Sequence, residues 1–142
     1  MIDKAILAPV VALAGWTMII WLWMYATRIP AMVKAGIDAK TKVGGTGKDM
    51  DAVLPGQVQW VAHNYNHLHE APTVFYAIAV VLALSADGTG WAAPLAWAYV
   101  GLRIAHSLVQ ILNNRVLARF ALFALSSLVL VALIGLAAAA VV

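Results

Sequence analysis

The sequence predicts an all-α integral membrane protein, a four-transmembrane-helix bundle. Three observations carry that prediction: 64% of its 142 residues are hydrophobic and 11% charged, its mean hydropathy is +0.90, and its apolar residues gather into four long stretches. A chain of this composition partitions into lipid rather than water. The stretches cover about 5–25, 60–84, 91–112 and 120–142. Each holds about 20 residues or more, which at about 1.5 Å per residue crosses a ~30 Å hydrocarbon core. Helices are the expected form, because a barrel needs many alternating segments of about 10 residues. The whole chain, 1–142, reads as a single domain with no room for a soluble catalytic unit.

The first stretch carries Trp16, Trp21 and Trp23. It is too long and too rich in tryptophan for a signal-peptide core, and is expected to stay attached as span one. The connection at about 28–57 mixes Pro30, Gly44, Gly45, Gly47 and Pro55 with charges of both signs, which predicts a cytoplasmic loop. In the second stretch Pro72 removes one backbone hydrogen bond and strands the carbonyl of Leu68. The Asp and Gly residues of 86–90 predict a tight outer turn, so spans two and three form an antiparallel hairpin. The alanine run at 137–140 reads as small-residue packing at the end of span four.

Orientation follows from the basic residues. Arg28, Lys34, Lys40, Lys42 and Lys48 lie in the first connection and Arg115 and Arg119 in the third, with Lys4 alone on the opposite side. The positive-inside rule then places 28–57 and 113–119 in the cytoplasm and both termini outside, in the inner (cell) membrane. The basic surface is attributed to this bias and to contact with anionic membrane lipids, not to nucleic acid, because no aromatic residues interleave the charges. The chain has no cysteine, which removes disulfides, thiol nucleophiles and thiolate metal sites.

Polar residues at membrane depth mark a pathway or a buried site. On one helix His63, Asn66, His67 and Glu70 fall at i, i+3, i+4 and i+7 and share a face; Arg103, His106 and Gln110 do the same on the third span. Glu70 and Arg103 each lie about 10 residues, or roughly 15 Å, from the cytoplasmic ends of their spans, so an ion pair between them is expected. Such a pair by itself serves equally well as packing glue. The remaining groups, continuing to Arg119, form a polar track that opens toward the cytoplasm, as a polar ligand pocket requires. A third possibility uses His63, His67, Glu70 and His106 as metal ligands, since imidazoles at i and i+4 beside a carboxylate have a ligand-like spacing.

The run HNYNHLHEAPTVFYA at 63–77, followed by YVGLRIAHSLVQILNNRVLARF at 99–120, resembles the membrane-associated proteins in eicosanoid and glutathione metabolism, the MAPEG family. The resemblance extends over essentially the whole chain and implies a homotrimer. It also implies that glutathione, as a co-substrate, binds between neighbouring subunits and is used against a lipophilic small molecule, an electrophile or a hydroperoxide. Position by position, Glu70 matches a second-helix Glu that contacts glutathione, Arg103 and His106 match an Arg and a His of the third helix, and Arg119 matches the thiolate-stabilising Arg. Arg28 lies near a helix-one Arg that touches the tripeptide. His63 stands where the enzymes carry Arg and His67 where they carry Asn, with Asn66 one place away; Gln110 replaces a Tyr. The resemblance thus implies Arg119 as the catalytic residue, with Arg28, His63, Asn66, His67, Glu70, Arg103, His106 and Gln110 binding glutathione. These departures also leave open a non-catalytic member that binds lipid or a membrane-protein partner.

Overall fold

The computed structural model describes residues 2–38, 40–41, 43–85 and 90–142. The expected turn at 86–90 lies, apart from Gly90, outside the described residues. The elements are α1 (Leu7–Lys34), a short 3₁₀ turn (Gly47–Met50), α2 (Gly56–His67), α3 (Ala71–Ser85), α4 (Ala92–Leu112) and α5 (Val116–Val141). With α2 and α3 forming a single crossing, Gly56–Ser85, four segments are long and apolar enough to span a membrane. Among the described residues there is no strand.

Helix α1 outruns its predicted end and carries Arg28, which the sequence placed in the loop. Pro30 deletes a single backbone donor, and the following Ala31, Met32 and Val33 are compatible with helix, so the helix continues past it. It stops at Gly36, whose φ of 68° is easy only for glycine. There the amides of Gly36 and Ile37 bond back to the carbonyls of Val33 (3.1 Å) and Met32 (3.1 Å), a paired closure that satisfies the last turn.

The second crossing is not one straight helix. Leu68, His69 and Glu70 form a turn between α2 and α3, two residues ahead of Pro72. Pro72 cannot donate and disfavours helical geometry in the residue before it, so the ladder gives way upstream. Short-range bonds replace it: the amides of His69 and Glu70 reach the carbonyls of Asn66 (2.9 Å) and His67 (3.3 Å). His69 Nδ1 donates to the Tyr65 carbonyl at 2.9 Å, and the Thr73 hydroxyl donates to the Glu70 carbonyl at 2.6 Å.

Helix α4 is the hub, packing most extensively on α5 and also against α1 and α2, while α3 leans on α5. Leu13 and Ile20 of α1, Phe75 of α3, Tyr99 and Val100 of α4 and Leu133 of α5 fill the apolar centre. Phe75 and Tyr99 stack with ring centroids 4.5 Å apart. In lipid such contacts hold helices together through close packing rather than through release of water. The α4–α5 connection turns on Asn114, which takes a φ of 53° and bonds its amide to the Val109 carbonyl at 2.7 Å. Asn tolerates that left-handed geometry. The tight turn brings the first two turns of α5 back over the last turns of α4.

Candidate functional site

The polar residues of α4 collect on its buried face as their spacing predicts. Arg103 is 0% exposed, and His106, Ser107 and Gln110 are buried with it. Gln110 finds its partner from α2 in Asn64, which sequence spacing overlooked: the Asn64 side-chain amide donates to the Gln110 side-chain oxygen at 3.0 Å with both residues buried. The overlooked signal lies in the pattern itself, since Asn64 falls on the stripe of Val61 and Leu68, both buried. Asn66, by contrast, is exposed. Replacing Asn64 alone by Leu strands the Gln110 amide and is expected to cost about 1–3 kcal/mol. Replacing Asn64 and Gln110 together by Leu and Met removes donor and acceptor at once and recovers most of that loss. Thermal unfolding of the two variants in the same detergent checks this.

The expected Glu70–Arg103 ion pair does not form. The turn at 68–70 swings the Glu70 side chain outward, where it is 67% exposed and a carboxylate oxygen lies 3.8 Å from His67 Nε2. Arg103 instead reaches the end of α2. Its Nη2 donates to His67 Nδ1 at 2.8 Å and to the His67 carbonyl at 3.3 Å. The guanidinium therefore caps α2 and fixes an imidazole with the same nitrogen. Arg103 Nε and Nη1, Tyr99 Oη, His106 Nδ1 and Ser107 Oγ are buried without a hydrogen-bond partner among the described residues.

The sequence-predicted residues divide between two cavities. Arg28, His63 and Asn66 line one of about 500 Å³, together with Thr46, Lys48 and Asp51 from the folded connection. Arg28 Nη2 donates to the Gly47 carbonyl at 2.8 Å, and His63 Nε2 donates to Asp51 at 3.0 Å. Thr46, Lys48 and Asp51 were not anticipated, because a non-periodic connection gives no register from which to place them. Its one local signal is Thr46 with Asp49 three residues on: the Asp49 carboxylate accepts from the Thr46 amide at 2.6 Å.

The second cavity, about 290 Å³, holds His67, His106, Gln110 and Arg119 against Val116, Phe120 and Phe123. The rings of His67 and His106 stack with centroids 4.8 Å apart and planes 12° apart. Phe123 lies 5.7 Å from His67 on another side. Arg119 Nε is buried without a partner among the described residues, and its two terminal nitrogens are further cationic donors there. Glu70 and Arg103 line neither cavity. The metal reading required His63 beside His67 and His106, yet His63 opens into the other cavity. Among the described residues no three His, Asp or Glu side chains gather as a metal ion requires.

Chemically, the larger cavity offers two cations for carboxylates, Arg28 and Lys48. The smaller offers one cation and neutral donors against an aromatic wall, a setting that favours a single soft anion beside an apolar group. No curated protein and no solved structure matches the chain. The model of one protein family, the MAPEG family, does match it, over residues 6–139. With nearly the whole chain covered, four membrane-crossing segments in place and no strand among the described residues, the protein belongs to the MAPEG family.

Proposed function

We propose that the protein is a homotrimeric, glutathione-dependent transferase or peroxidase that acts on a lipophilic electrophile delivered by the bilayer. Its loops at 28–57 and 113–119 face the cytoplasm, its termini face outside, and it resides in the inner (cell) membrane, in keeping with the distribution of Lys and Arg. The observation that carries the proposal is the cavity in which Arg119 meets His67, His106 and Gln110 against Phe120 and Phe123.

Glutathione has two carboxylates, an amine and a thiol. A thiol ordinarily titrates near 8.5, and a fixed guanidinium close to sulfur shifts a useful fraction to thiolate at neutral pH. Arg119 supplies that charge, and the thiolate then attacks the electrophilic carbon while the leaving group departs with the bonding pair. Phe120, Val116 and Leu117 are strongly exposed at the same end of α5 and offer an apolar approach for the second substrate. The carboxylates are assigned to the cavity of Arg28 and Lys48. Because the two cavities are separate in one chain, the site is completed by apposing one subunit's Arg28 cavity to its neighbour's Arg119 cavity.

Titrating the purified protein with glutathione while following the ultraviolet absorbance of thiolate is the test. Saturable binding in the millimolar range or below, with thiolate appearing in proportion, is the expected result. Saturable binding without thiolate would leave a ligand-binding, non-catalytic protein, and no saturable binding would dismiss the glutathione site altogether.

A further inference from the structure

The contact between Arg103 and His67 has a chemical consequence. A guanidinium has donors only, so the Nδ1 that meets Arg103 Nη2 at 2.8 Å must present its lone pair. The ring proton then sits on Nε2, and the imidazole is neutral as long as that bond stands. Arg103 holds the His67 carbonyl with the same nitrogen, and the ring is stacked on His106 and flanked by Phe123. A ring flip would therefore replace Nδ1 by carbon in front of a buried cation. A Glu70 oxygen lies 3.8 Å from Nε2, beyond hydrogen-bond distance, and among the described residues Nε2 makes no hydrogen bond. The side chain is 23% exposed and lines the Arg119 cavity. Its N–H is thus unspent among the described residues, in the place where an anion is expected.

We propose that His67, its tautomer locked by Arg103, is a neutral hydrogen-bond donor to the glutathione sulfur held beside Arg119. The proposal rests on the glutathione reading above and adds to it a second donor at the sulfur. Arg119 supplies net charge; His67 supplies direction, since an N–H to sulfur is angular whereas a guanidinium two or three bonds from its stem tolerates several poses. Arg103, which lines neither cavity, is a positioning residue acting through His67.

The test has two arms. The full-length protein, labelled with ¹⁵N-histidine and held in lipid nanodiscs without ligand, is expected to show His67 with an unprotonated Nδ1 and a protonated Nε2; the resonance is assigned by its loss in His67→Gln. Glutathione thiolate absorbance is then compared across variants. The amide nitrogen of Gln lies about where His Nε2 lies, so His67→Gln is expected to stay within about threefold of the parent, whereas His67→Leu loses roughly tenfold or more, as befits a hydrogen bond to a charged acceptor. A protonated Nδ1, or a doubly protonated ring, overturns the donor assignment whatever glutathione does. Normal thiolate formation by His67→Leu overturns the donor role alone. A parent protein that forms no thiolate overturns the donor role and the glutathione reading together. Should His67→Leu fail to fold, the ring spectrum of the parent and the activity of His67→Gln still decide.

Discussion

Arg119→Leu is expected to retain glutathione binding within a few-fold and to lose about 10²–10³ in kcat, the usual consequence of deleting one preorganised charge donor at a reacting anion. The split between binding and turnover follows from the two cavities. Carboxylate recognition is assigned to Arg28 and Lys48, which the substitution leaves alone. Arg119 sits among His106, Gln110 and the aromatic wall, half-buried beside apolar side chains, so its charge acts at short range on an anion bound there. Arg119→Lys keeps the charge but not the planar fork, and is expected to fall between the two. Parallel measurement of KM, kcat and thiolate absorbance reads these effects. A leucine variant that turns over normally would remove Arg119 from the chemistry and return it to an interfacial anchor.

Arg103→Met is expected to separate stability from function in the opposite sense. Arg103 is 0% exposed, yet among the described residues no carboxylate lies within salt-bridge distance of it. Two opposing contributions decide the outcome. Removing the cation releases a desolvation penalty of several kcal/mol. It also strips His67 of a donor at Nδ1 and at its carbonyl, which costs about 1–3 kcal/mol; that loss is softened because His67 is partly open to a cavity. The first contribution is the larger, so the methionine variant should be as stable as the parent or more so, by about 1–4 kcal/mol. Turnover should nevertheless fall about tenfold or more, because His67 loses its fixed tautomer. Thermal unfolding in detergent together with kcat checks both halves. A strongly destabilised variant would make Arg103 a structural cap, and an active one would leave its burial without a functional reason.

The four membrane crossings and the gathering of Arg103, His106 and Gln110 on one face of α4 were legible in the sequence, because periodicity along an uninterrupted helix is a property of local geometry. Residues 63–70 were misread for a related reason. Their stripe assumes one continuous helix, and the turn at Leu68–Glu70 breaks the register, sending Glu70 outward and leaving His67, not Glu70, to meet Arg103. Pro72 signalled a disturbance, but the chain yielded two residues earlier than the proline itself. Asn64 lies off the stripe of His63, Asn66, His67 and Glu70 and on the face of the buried Val61 and Leu68, which is where a lone polar side chain finds a buried partner such as Gln110. The partners of Arg28, including the Gly47 carbonyl, depend on how a non-periodic connection folds back over α1 and α2, and no local pattern encodes that return.

The account turns on a site completed by two chains, and complementation tests it most directly. Arg28→Ala and Arg119→Leu damage different cavities, so each homotrimer should turn over poorly with glutathione. Co-expressed, the two chains assemble at random, and about a quarter of the subunit interfaces then pair an intact Arg28 cavity with an intact Arg119 cavity. Recovery of roughly that fraction of the parent activity in the purified mixed trimers is the predicted result. Mixed trimers no more active than the two inactive parents would contradict a shared site.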